Sequence, residues 1–330
     1  MPITESDFAT TSENTGRRLL IDVGNTKTAL LLKDGERCAR RGQFPTRELS
    51  ATAIKDWLMV SATPTSGAGY SVAEDKFADL SAEIAAANAV GAGRKTAEQN
   101  IDRESAVIHQ ERYAGKVKSL APLAPAPVFV SSVVPAVNSQ LEEWLNACGW
   151  DDVTFADPAR RHIIDHNLVT PETTGSDRLL AAWAAYYLRE INPRREAVVV
   201  VQAGSAAVVD LVSREGIFQG GAIMPGPQMW LDTLSAAARL PRLAAEEMDW
   251  ESPLPGNNTT SAIYGGAVAG LIGEIKEAVR RTLFSLKGQV PLIVFTGGWG
   301  ERLLPFFPGK YYSDLVLRGL EGFACNYKRG

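Results

Sequence analysis

Apolar residues recur along this chain in short β-branched runs and in longer stripes at helical spacing. Leu19 to Val23 and Thr28 to Leu32 are two such runs. Gly24 and Asn25 between them tolerate positive φ, which predicts a tight β-hairpin. Lys33-Asp34-Gly35 is a second turn, and Glu36 to Phe44 returns as a third strand, stopped at Pro45. Ala51 to Leu58 is a short helix candidate. Val128 to Val134 reads as a buried strand stopped at Pro135, and Val153 to Phe155 as another. Between them, Val137, Leu141, Trp144 and Leu145 keep helical spacing. A helix is predicted from Thr174, with a stripe of Leu179, Trp183, Tyr186 and Tyr187. A second strand set follows over Ala197 to Val201, Ala206 to Val212 and Gly216 to Ile223. Helices over Met229 to Ala238 and Ala262 to Leu286, a strand over Leu292 to Phe295 and a helix over Leu315 to Tyr327 complete the pattern.

The two strand sets echo one another. Gln202-Ala203-Gly204-Ser205 stands in the second where Asp22-Val23-Gly24-Asn25 stands in the first, which predicts two related halves, each opening with a three-stranded meander. The first ends around Asn167 to Glu172, giving domains over 18–170 and 171–330 after a polar tail of 1–17. From Ser61 to Pro127 the pattern fades. Thr63 to Gly67 is loop-like, Phe77 to Ala89 is an Ala-rich helix candidate, Gly91 to Arg112 is polar, and Leu120 to Pro127 is a Pro-Ala linker. The stretch reads as a surface insertion. Strands that lead into helices place the Gly-rich turns at one edge of each sheet, where α/β proteins bind ligands.

A chain of 330 residues with 45% hydrophobic and 22% charged residues has the make-up of a soluble globular protein with two cores. The net charge of −4 gives no general basic surface for nucleic acid or membrane. Cys38, Cys148 and Cys325 are odd in number and far apart, which argues against a disulfide framework or a Cys-based metal site. The tail lacks an apolar segment of the kind a signal peptide needs, and no apolar run is long enough to span a membrane. The expected compartment is the cytoplasm. His109, His162 and His166 have no spacing that suggests catalysis.

The first turn would gather the Asp22 carboxylate, backbone N–H groups, the Thr26 hydroxyl and the Lys27 ammonium, a set suited to a magnesium-bound polyphosphate. It is not a P-loop, because the chain continues as strand rather than helix. An ordinary polar turn, with Lys27 in solvent, is the other reading. Thr296-Gly297-Gly298 either lets backbone approach a nucleoside closely or merely leads into a helix. Thr174 and Asp177 have the spacing of a helix-capping box, in which the carboxylate would close on the cap amide.

Asp22-Val23-Gly24-Asn25-Thr26 resembles the first phosphate motif of type III pantothenate kinases. Ser131-Ser132-Val133-Val134-Pro135, Gly175-Ser176-Asp177-Arg178, Gly220-Gly221-Ala222-Ile223-Met224-Pro225-Gly226, Leu240-Pro241, Asn258-Thr259 and Thr296-Gly297-Gly298 match that family in the same order. The resemblance covers Arg18–Phe44 and roughly Val128–Tyr327. It implies an α/β fold of two related ribonuclease H-like domains of the sugar kinase, actin and Hsp70 type. It also implies ATP and Mg²⁺ as cofactors, pantothenate as acceptor and a homodimer with the acceptor site near the interface. Asp22 would hold Mg²⁺ through water, and Asp22 to Thr28, Gly204, Ser205 and Thr296 to Gly298 would bind ATP. Asp177 would be the general base, with Gly175, Ser176 and Arg178 lining the acceptor pocket and Arg178 available to an acceptor carboxylate.

Three positions depart from the family's pattern. Gln202 replaces an Asp that helps hold a monovalent cation, K⁺ or NH₄⁺, and an amide brings no negative charge to that task. Leu168 replaces an acceptor-binding Tyr, and Ala237 replaces a Thr before Leu240-Pro241. These changes keep two alternatives open: a family member that acts as an accessory nucleotide-binding protein, and a kinase of the same fold for another small alcohol.

Overall fold

The runs Leu19 to Val23, Val198 to Val201 and Leu292 to Phe295 are almost wholly apolar, with polar groups close to their ends, and the architecture follows from that. The computed structural model describes residues 16–59, 124–158 and 162–327. The helix and loop expected between 60 and 123 lie outside the described residues.

Strands β1 (Arg17–Val23), β2 (Lys27–Asp34) and β3 (Arg37–Pro45) form an antiparallel meander. Arg17, read from sequence as tail, already pairs with Asp34. Helix α1 (Ala51–Met59) precedes β4 (Val128–Ser132), α2 (Pro135–Ala147), β5 (Val153–Phe155) and α3 (Ser176–Tyr187). β4 joins β1 in parallel, and β5 joins β4, so the first sheet runs β3-β2-β1-β4-β5. The second half repeats the scheme. β6 (Val198–Ala203), β7 (Ala206–Val212) and β8 (Phe218–Pro225) form the meander, followed by α4 (Pro227–Ala238), α5 (Thr259–Ser285), β9 (Leu292–Thr296), α6 (Gly300–Leu303), β10 (Lys310–Tyr311) and α7 (Leu315–Tyr327). Its sheet runs β10-β9-β6-β7-β8, the same order read from the other end, with β9 parallel to β6. The predicted internal echo is present strand for strand.

Alternate residues of a strand face opposite sides, so burial partners reveal what each face covers. Leu20, Phe129, Val198, Val200, Val212 and Val294 share one apolar cluster with α3 and α7. Val199, Val201, Ala203, Val209 and Phe295 share another with α5. Helices α3 and α7 therefore lie in a layer between the two sheets. The alanines Ala181, Ala182, Ala184 and Ala185 leave α3 buried all round, as its position requires. α7 approaches it closely at two glycines. A Cβ at Gly319 would lie 2.1 Å from the Leu180 carbonyl oxygen, and one at Gly322 would strike the Trp183 ring. Glu321 of α7 accepts ion pairs from Arg18 on β1 and from Lys33 on β2, the latter at 3.0 Å.

Candidate active site

The strand-face rule also places the polar strand ends. Asp22 projects on the Leu20 side of β1, and Ser131 on the Phe129 side of β4. Gln202, Asp210 and Thr296 project on the sides of Val200, Val212 and Val294. All five face the layer that holds α3, whose first turn carries Ser176, Asp177 and Arg178.

Asp22 is hydrogen-bonded to Ser131, whose hydroxyl lies 3.2 Å from that of Ser176. Burial, with the Asp177 carboxylate adding to it, pushes Asp22 up to about 7 against the opposing pull of Ser131. Two carboxylates crowded in a recess are a donor set that a cation would relieve. Among the described residues no group of three or more His, Cys, Asp or Glu side chains is placed to hold a metal ion. An ion beside Asp22 would therefore draw most of its oxygens from water and phosphate, which suits magnesium.

The expected hairpin forms, and its backbone does not use the conformational freedom of its turn residues. Neither Gly24 nor Asn25 takes a positive φ; the loop closes through the Gly24 N–H, which donates to the Lys27 carbonyl at 3.0 Å. Asn25, Thr26 and Lys27 are exposed around it, and Val23 is buried beneath. Thr28 does not join them. It is fully buried, with its hydroxyl 3.1 Å from that of Thr46, which in turn donates to the Gly24 carbonyl at 2.6 Å. Thr28 braces the turn from below. Gly204-Ser205 forms the matching turn in the second half, and the two meet: Thr26 Oγ1 lies 2.6 Å from Ser205 Oγ.

The capping box is absent. Gly175, not Thr174, is the N-cap of α3, and it makes no side-chain cap bond. Asp177 instead accepts from the Arg178 N–H at 2.8 Å, where the helix N-terminus favours a carboxylate. Gly175 is needed for this fold-back, since a Cβ there would lie 2.4 Å from Asp177 Oδ1. Burial raises Asp177 above the ordinary carboxylate range; the Arg178 amide and guanidinium oppose it in part.

Arg178 has a partner that sequence reasoning missed. Its Nε donates to Asp210 Oδ2 at 3.0 Å and its Nη2 to Oδ1, a two-pronged contact to a carboxylate with no solvent exposure. Burial pushes Asp210 up, whereas the contact raises Arg178. A guanidinium keeps its proton in proteins, so the pair is ionic. Gly221 makes the room: a Cβ there would lie 2.5 Å from Asp210 Oδ1. The Gly-rich run thus serves several ends, for Gly226 lets the start of α4 press on the Gly204-Ser205 turn. A carboxylate inside the apolar run Ala206 to Val212 was the available signal, because a buried charge demands a partner.

Thr296-Gly297-Gly298 does lead into a helix, α6. Gly297 has a φ of +86° and sits on the Ala203 carbonyl, so packing alone accounts for it, while Gly298 borders open space. Leu168 packs into the central apolar cluster beside Gly220, and Ala237 is exposed near the end of α4. His162 pairs with Asp165, and His166 accepts from the Leu168 N–H; neither approaches the site residues by any contact described.

The family model for type III pantothenate kinases matches residues 85–281, more than half of the chain. The chain belongs to the type III pantothenate kinase family. A type III pantothenate kinase of Nitrosomonas eutropha is 30% identical over 237 residues, 69% of this chain and 87% of that one. One from Alkalilimnicola ehrlichii is 37% identical over 145 residues, and the matched stretch is only 56% of that relative's length. A solved Campylobacter jejuni structure, named for the Baf family of transcriptional activators, superposes with a TM-score of 0.50 at 18% identity. It covers 94% of this chain and all of its own. At that identity the likeness shows the fold alone. As a family member, the chain is a kinase with the two-domain α/β fold that the strand pattern predicts.

Proposed function

We propose that this kinase transfers the γ-phosphate of ATP to the primary hydroxyl of pantothenate in the cytoplasm, opening coenzyme A synthesis. One observation carries the reading: hydrogen bonds between Asp22 and Ser131 and between Ser131 and Ser176 join the end of β1 to the first turn of α3, where Asp177 stands next in the chain and adds to the upward shift of Asp22. That link would set an acceptor-side base beside a phosphate-side anion, as transfer between two bound substrates requires.

Asn25, Thr26 and Lys27 would meet the phosphates from one half and Gly204-Ser205 from the other, with the Thr26–Ser205 contact opening to admit them. Asp22 would hold Mg²⁺ through water, and the ion would supply charge to the phosphoryl oxygens. Asp177 would accept the proton of the acceptor hydroxyl. Because only its ionised form can do so and its proton is held more tightly than usual, turnover should rise with pH through its titration. Arg178, fixed by Asp210, would orient the acceptor through Nη1, which lies outside that pair. Exposed Ile223 and Met229 offer apolar surface for a homodimer.

Leu168 supports a second reading, a kinase for another small alcohol, since the phenol expected there is replaced by a half-buried leucine packed against the apolar cluster. A coupled assay with ATP, Mg²⁺ and pantothenate decides between them. Asp177→Asn should lower turnover by about a hundredfold or more while nucleotide binding persists. No phosphorylated pantothenate from the native protein, or a native rate from the variant, would refute the proposal.

A further inference from the structure

Gln202 occupies on β6 the place that Asp22 occupies on β1. Each is the last residue but one of a central strand. Asp22 pairs with Ala29 on one side and Ser131 on the other, Gln202 with Val208 and Thr296. Each projects into the layer between the sheets. Their chemistry differs, because one is a carboxylate and the other a neutral amide. Gln202 Nε2 is withdrawn from solvent and has no hydrogen-bond partner. Buried donors are seldom left unpaired, and an exception calls for an explanation in a missing partner.

Three residues along, Ser205 meets Thr26 from the opposite half, so the orphan amide stands behind the turn where both halves converge. Its cross-strand partners Val208 and Thr296 are neutral, and an N–H₂ group beside neutral partners is complementary to an anion. We propose that Gln202 Nε2 donates a hydrogen bond to a phosphate oxygen of the bound nucleotide, so that nucleotide binding requires no monovalent cation. The inference rests on the kinase reading above. It assigns a specific positioning role in the second half, where a neutral donor offsets phosphate charge that a metal held by Asp22 would offset in the first.

The test measures binding of ADP, and of a non-hydrolysable ATP analogue, by calorimetry with Mg²⁺ in KCl and in tetramethylammonium chloride of equal ionic strength, whose cation is too large for such a site. Gln202→Met keeps the length and removes the donor, whereas Gln202→Glu keeps the shape and presents only charged acceptors. The native protein should bind with the same affinity in both salts. Both variants should bind about tenfold weaker or worse in both, the loss expected for a hydrogen bond to a charged group. Native-like binding by the Met variant would overturn the proposal. So would tighter binding in KCl by the native protein or the Glu variant, which would mean that an oxygen at this position faces a cation. A native protein that binds no nucleotide in either salt would instead overturn the kinase reading itself. Unfolding midpoints without nucleotide establish that each variant is folded, and either variant alone suffices if the other is not.

Discussion

Asp22→Asn should make the ligand-free protein more stable and the enzyme inactive. Asp22 titrates near 3.8 when unfolded and at about 7 when folded. The folded state therefore binds the proton more tightly, and stability falls as pH rises between those two values. Above about 7 the full penalty applies. The shift corresponds to ~4 kcal/mol at most, and partial access of water to the side chain brings the expectation to about 2–4 kcal/mol. An asparagine cannot ionise, so the substitution removes the penalty. Urea unfolding in EDTA, without nucleotide, should show variant and native close together near pH 4. The variant's advantage should grow through pH 5 and 6 and level off above 7. Adding Mg²⁺ and nucleotide should restore the native protein's stability far more than the variant's, and the variant should lose most of its turnover. A stability difference independent of pH, or a variant less stable at pH 8, would refute the assignment of Asp22 as a strained, cation-seeking carboxylate.

Gly221→Ala should drive a methyl group into Val209 and the Asp210 carboxylate, destabilising the protein by about 1–3 kcal/mol and freeing Arg178. Its kinetic mark would be a raised KM for the acceptor with the KM for ATP little changed, and equal effects on both would refute the link. Gly319→Ala should cost about 1–3 kcal/mol by prying α7 from the Leu180 carbonyl, read as a lower urea midpoint; an unchanged midpoint would mean that the helices can separate without loss.

The meanders were legible because alternation and turn residues are local properties of the chain. The same reasoning failed where partners come from afar. Thr174 and Asp177 have the spacing of a capping box, yet Gly175 starts the helix. Its missing Cβ lets Asp177 fold back, which no spacing rule conveys. Asp210 looked like one polar residue in a strand until Arg178, 32 positions earlier, came to meet it. The resemblance put Thr28 among the ATP-binding residues, but Thr46 draws its hydroxyl inside. The pair Lys310–Tyr311 is too short for any periodicity and becomes a strand only through β9. Gly24 and Asn25 tolerate a positive φ and so marked the hairpin, but a three-residue connection closed by one backbone bond turns the chain without using that freedom.

The last helix described, α7, rests against β1, the first strand described, and Glu321 bonds to Arg18 across 303 positions. During synthesis the first meander therefore emerges before α7, and the part of its face that α7 covers stays bare until that helix is made. Leu20 and Leu31 must wait for Leu320 and Phe323. A nascent chain in that state carries a sticky surface while all the elements between β1 and α7 are being made. Such a protein should lean on chaperones early, and its first half, expressed alone, should aggregate rather than fold.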